Sequence, residues 1–87
     1  MSRTDQASST DARYQAVLAV RGFPLRLKVA REERGWTQSM LGEKAGLHQT
    51  AVAHFEAGRR SPCAFNLAAL AAALGVGVDS LLAVESA

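Results

Sequence analysis

The sequence predicts an all-α fold, and three observations carry that prediction. Glycine and proline punctuate the chain at Gly22 and Pro24, Gly35, Gly46, Gly58 and Pro62, and Gly75 and Gly77. Between them lie segments of about nine to twelve residues, the length of short helices. Leu67, Leu70, Ala71 and Leu74 recur at the 3–4–7 spacing of an apolar helical stripe. No segment sustains the period-two alternation of a half-buried strand, and no internal repeat is visible. The 87 residues, 48% apolar and 21% charged, suit one small core in a water-soluble domain. A β/α barrel needs about 200 residues or more and is excluded.

The elements follow in order. Met1 to Asp11 is polar and Ser/Thr-rich, without the apolar stretch of a secretory signal, and reads as a flexible tail. Asp11 to Arg21 (DARYQAVLAVR) sets Tyr14, Val17, Leu18 and Arg21 on one side and predicts an extra helix. Residues 1–22 are thus an extension ahead of a domain at 23–84. Residues 24–34 (PLRLKVAREER) open with proline where a first helical turn tolerates it, place Leu27, Ala30 and Arg31 on one face, and close at Gly35. Thr37 to Ala45 (TQSMLGEKA) begins on a good N-cap and stops at Gly46, which enters a left-handed conformation at least cost.

His48 to Ala57 (HQTAVAHFEA) follows after a turn so short that the two helices must cross steeply. Cys63 to Leu74 is the fourth core helix, ended by Gly75, and Val78 to Val84 makes a short fifth. The longest run of apolar or glycine residues, Leu67 to Val78, is twelve residues, against about 20 for a membrane-spanning helix. It reads as a core helix with its exit turn.

A lone cysteine, Cys63, rules out an intramolecular disulfide, leaves too few thiolates for a Cys-rich zinc site, and suits a reducing, cytoplasmic location. At the head of a helix it reads as a semi-buried, inert thiol. His48 and His54 are six residues apart, which separates them by about 120° around a helix, so they do not share a face as an i, i+4 zinc pair must. No acidic pair, oxyanion loop or nucleotide-binding glycine motif accompanies these residues, so no enzyme activity, cofactor or metal is expected.

The stretch Thr37 to Gly58 (TQSMLGEKAGLHQTAVAHFEAG) meets several physical requirements of a helix-turn-helix. Gly42 costs about 1 kcal/mol relative to alanine inside a helix, but its size lets the next helix approach. Gly46 makes the turn. Val52 points back into the angle, and Leu41, Ala45 and Phe55 complete the seam.

At these residues the sequence resembles the phage-repressor and Cro type (XRE-like) helix-turn-helix proteins. The segments AREERGWTQ, LGEKAGL, FEAGRRSP, LAALAAALGV and VDSLL look like that family in order and spacing, across residues 25–82. The resemblance implies a five-helix, lambda-repressor-like DNA-binding domain whose helix-turn-helix unit is residues 37–57. It implies that the helix after His48 enters the major groove with Gln49, Thr50 and His54 facing base edges. Gln49 carries the bidentate amide that matches adenine. Gln38, His48, Arg59 and Arg60 fall at positions suited to phosphates, Gln38 also bracing the reading glutamine. Arg31 and Glu56 match a buried ion pair joining two helices, and Trp36 falls where the family has an apolar core cover.

A transcriptional regulator acting as a homodimer on an inverted-repeat operator in double-stranded DNA is therefore expected, with Val78, Leu81 and Leu82 offering apolar surface to the second copy. Tyr14 to Val20 is a second candidate interface. The alternative is an antitoxin-type module that masks a protein partner through the N-terminal extension. The net charge of +2 conceals an uneven distribution. Residues 1–20 sum to zero, residues 21–60 carry eight basic and four acidic groups, and residues 61–87 carry only Asp79 and Glu85. Positive charge therefore gathers where the DNA-reading elements are expected.

Overall fold

A computed structural model describes residues 22–82. The extra helix expected at residues 11–21, the interface at 14–20 and the last two residues of the expected fifth helix lie outside them. Within them are five helices and no strand: α1 (Phe23–Glu33), α2 (Gln38–Ala45), α3 (Gln49–Glu56), α4 (Ala64–Leu74) and α5 (Val78–Leu82).

Helix α1 starts one residue before the expected proline. Gly22, with φ of 73°, turns the chain into it, and Pro24 sits in the first turn, where no intrahelical N–H is needed. The early start matters because Phe23, 1% exposed, belongs to the core. At the other end Arg34 terminates α1 and ties it to a distant element: its Nη1 donates to the Ala30 carbonyl and its Nε to the Leu74 carbonyl, 3.0 Å away. The last carbonyls of a helix lack intrahelical partners, so Arg34 from α1 closes the end of α4.

Helix α2 begins at Thr37, whose hydroxyl accepts from the Met40 N–H at 3.1 Å. It ends at Gly46 in the left-handed conformation, φ 73°. Cys63 heads α4 without forming a side-chain cap bond and is exposed, which corrects the expectation of a semi-buried thiol. A thiol is a weak acceptor, so little draws it over the helix end.

The core gathers Phe23, Leu27, Leu41, Val52, Phe55, Leu67, Leu70, Ala71, Leu74 and Leu81 from all five helices. Trp36 is half-buried against it, with the Lys44 ammonium 4.7 Å above its ring, a cation–π contact. Leu81 is 1% exposed, so the apolar surface expected of it is used within the chain. Helix α5 packs on α1 and α4, and a five-residue helix reaches the core through its best-centred leucine, leaving Val78 and Leu82 half-buried at the edge. Among the described residues no helix is long and apolar enough to cross a membrane.

Candidate nucleic-acid interface

The angle between α2 and α3 rests on one missing methyl. A Cβ built on Gly42 would lie 2.6 Å from the Leu47 carbonyl oxygen and 3.3 Å from the Gln49 nitrogen. Both are backbone atoms of the turn and of the start of α3, so no side chain can move aside. The Leu47 N–H meanwhile donates to the Gly42 carbonyl at 2.7 Å, pinning the turn to α2. Gly42 is thus the contact point on which the helix-turn-helix folds, and Leu41, Val52 and Phe55, all buried, fill the wedge behind it.

Helix α3 is amphipathic across its short length. Val52 and Phe55 face inward, while His48, Gln49 and Thr50 are exposed together at its leading end and His54 is half-buried one turn on. His48 forms the cap itself: its Nδ1 accepts from the Thr50 N–H at 3.0 Å. A ring nitrogen that accepts holds no proton, so in the neutral ring the proton sits on Nε2, which remains free to donate outward. Capping and an outward contact are therefore compatible in one side chain.

Helix α3 is held at depth by a buried polar cluster. Arg31 on α1 reaches Glu56 on α3 through Nε at 2.7 Å and Nη2 at 3.0 Å, and its Nη1 donates to the Trp36 carbonyl at 2.7 Å. The two side chains are 10% and 4% exposed. Hydrogen bonding to Glu56, with its negative charge, raises the Arg31 pKa against the opposing push of burial. Gln38 Nε2 also donates to Glu56, at 3.1 Å. The amide expected to brace Gln49 thus joins the start of α2 to the end of α3 instead; Glu56, buried and anionic, is the stronger acceptor within reach.

Arg59 and Arg60 are exposed just beyond α3, and their N–H groups both donate to the His54 carbonyl. That pairing fixes their backbone against the helix and leaves the guanidinium groups in solvent. A cleft of about 300 Å³ at the elbow is lined by Ser39, Glu43, Leu47, His48 and Gln49. Ser39 is not singled out by the sequence because it lies nine positions before His48; only the turn at Gly46 brings the first turns of α2 and α3 to one surface. Among the described residues no group of three or more His, Cys, Asp or Glu side chains is placed to hold a metal.

Comparison with known proteins agrees with this geometry. A family model described as Helix-turn-helix matches residues 27–81. An immunity repressor protein of Bacillus phage phi105 is 39% identical over 61 residues, 70% of this chain, and the chain spans 42% of that repressor's length. A hypothetical transcription factor from Neisseria superimposes with a TM-score of 0.68 at 32% identity, covering 71% of each chain. A restriction-modification controller protein from Aeromonas hydrophila gives 0.69 at 30% identity, covering 72% of this chain and 96% of its own. With the wedge at Gly42, the capped α3 and the match over residues 27–81 in agreement, the chain belongs to the helix-turn-helix family of the phage-repressor type.

Proposed function

We propose that the chain is a sequence-specific repressor or controller protein that binds an inverted-repeat operator as a homodimer, with α3 in the major groove. The observation that carries the reading is the leading end of α3, where His48, Gln49 and Thr50 are exposed together while Val52 and Phe55, on the opposite face, anchor the helix in the core. Gln49 and Thr50 read base edges, the former by two hydrogen bonds to adenine and the latter through its hydroxyl or methyl; His54 reads one turn on. His48 through Nε2, with Arg59 and Arg60, contacts phosphates. Gln38 contacts phosphate through the part of its amide that Glu56 does not occupy, and Ser39 adds a hydroxyl on the same surface.

Val78 and Leu82 at the edge of α5 form the centre of the contact between copies, without Leu81. The repressor and controller proteins among the relatives favour this reading over a protein-masking module.

Selection from a random duplex library tests the reading as a whole. Enriched sites should contain two inverted half-sites about 10 bp apart, centre to centre, because two recognition helices related by a two-fold axis must meet one face of B-DNA. Recovery of single, unpaired half-sites would overturn the dimer, and absence of any enriched sequence would overturn specific reading.

A further inference from the structure

His48 holds the leading end of α3 through both its ring and its backbone. Its Nδ1 accepts from the Thr50 N–H at 3.0 Å, and its carbonyl accepts from the Ala51 and Val52 N–H groups at 3.0 and 3.4 Å. The backbone bonds are indifferent to pH; the ring bond is not. The usual capping side chains, Ser, Thr, Asn and Asp, keep an acceptor oxygen throughout the span of about pH 5 to 8. An imidazole charges within that span and then carries a proton on both nitrogens. A charged His48 ring therefore offers Thr50 no acceptor, and it stands against the unpaired N–H groups of a helix end, where positive charge is disfavoured.

The surroundings give the displaced ring another place. His48 is exposed, so its ring can turn without disturbing the core. Glu43 on α2 lines the elbow cleft together with His48 and Gln49, and a carboxylate attracts the charged ring away from the helix end. The other charged groups on the helices around α3 are engaged elsewhere: Lys44 over the Trp36 ring and Arg31 with Glu56. His54, Arg59 and Arg60 stand toward the opposite end of α3 or beyond it.

We propose that His48 is a titratable positioning residue: its neutral ring caps α3 and holds Gln49 and Thr50 in reading geometry, whereas its charged ring releases Thr50 and turns to Glu43. The proposal rests on α3 as the base-reading helix. Discrimination between operator and unrelated DNA then weakens as pH falls. Total affinity follows a different course, because a charged ring also attracts phosphates of any sequence.

Two measurements on the full chain test it, at constant ionic strength from about pH 8 to about pH 5.5. In the free protein, the NMR signal of the Thr50 amide should move with the same midpoint as the His48 ring. In binding, the ratio of affinity for a selected operator to that for an unrelated duplex should fall about fivefold, the factor of a typical N-cap. His48→Ser, whose hydroxyl caps at every pH, should abolish that fall, and His48→Ala should hold the ratio low throughout. Any pH dependence owed to His54 is common to all three proteins and cancels in the comparison. A Thr50 amide indifferent to the charging of His48 would overturn the proposal, as would equal pH dependence of the ratio in the parent and His48→Ser. A titrating Thr50 amide with no duplex preferred at any pH would overturn the base-reading role of α3, and the proposal with it.

Discussion

Arg31 shows how one side chain both positions the site and commits the fold. It meets Glu56 through two nitrogens and Trp36 through a third, so its charge is fully partnered where it is buried. Arg31→Ala leaves the Trp36 carbonyl without its side-chain donor and the Glu56 carboxylate with only the Gln38 amide, and should cost about 3–5 kcal/mol in chemical denaturation. Arg31→Lys should recover only part of that, since an ammonium does not reproduce the forked geometry. A loss below about 1 kcal/mol for the alanine variant would show the pair to be solvated. Because hydrogen bonding to Glu56 raises the Arg31 pKa, its stabilising contribution is complete below the ordinary arginine range and is lost only as pH rises through the raised value. Arg31 itself therefore brings no pH dependence to stability near neutrality. Gln49 is exposed at the head of α3, so Gln49→Ala should leave the fold unchanged. It should relax operator preference at one base position by about 1–3 kcal/mol, read as the change in the selected-site profile; an unaltered profile would remove it from the reading set.

At the scale of the element, the helix-turn-helix is set by a clash avoided. Gly42→Ala gains about 1 kcal/mol of helix propensity, yet its methyl would sit 2.6 Å from the Leu47 carbonyl oxygen. Overpacking of this kind typically costs about 1–3 kcal/mol, and relief requires α3 to swing away from α2. The variant should be less stable and should bind the operator more weakly than its stability loss alone explains, measured by thermal melting and by titration at a temperature where both proteins are folded. A Gly42→Ala variant more stable than the parent would mean that the elbow yields freely. The elements themselves were largely legible in the sequence, because their boundaries are local: Thr37, Gly46 and Gly75 act on their own turns. Two features were not. Phe23 entered the core because helix α1 starts a residue early, and Leu81 was spent inside the chain because a short helix must seat one side chain to dock at all.

For the whole molecule, the asymmetry of charge along the chain becomes a question of binding strength. Arg59 and Arg60 are exposed beyond α3, and their backbones are fixed by the His54 carbonyl. Replacing both with alanine should weaken binding to all duplex sequences and flatten the plot of log affinity against log salt by up to about 0.9 for each phosphate no longer neutralised. An unchanged slope would place both side chains away from the backbone.

The sequence by itself determined the helices, the turn and the family, since glycine placement, capping residues and apolar spacing are properties of neighbours along the chain. What only the tertiary structure decided is which groups separated in sequence meet. The family resemblance had already pointed to Arg31 and Glu56, 25 positions apart, but Arg34 and Leu74 lie 40 apart, and Gln38 turns to Glu56 rather than Gln49. Those pairings depend on the crossing of helices around a shared core, and a buried charge takes the strongest partner that the crossing brings within reach.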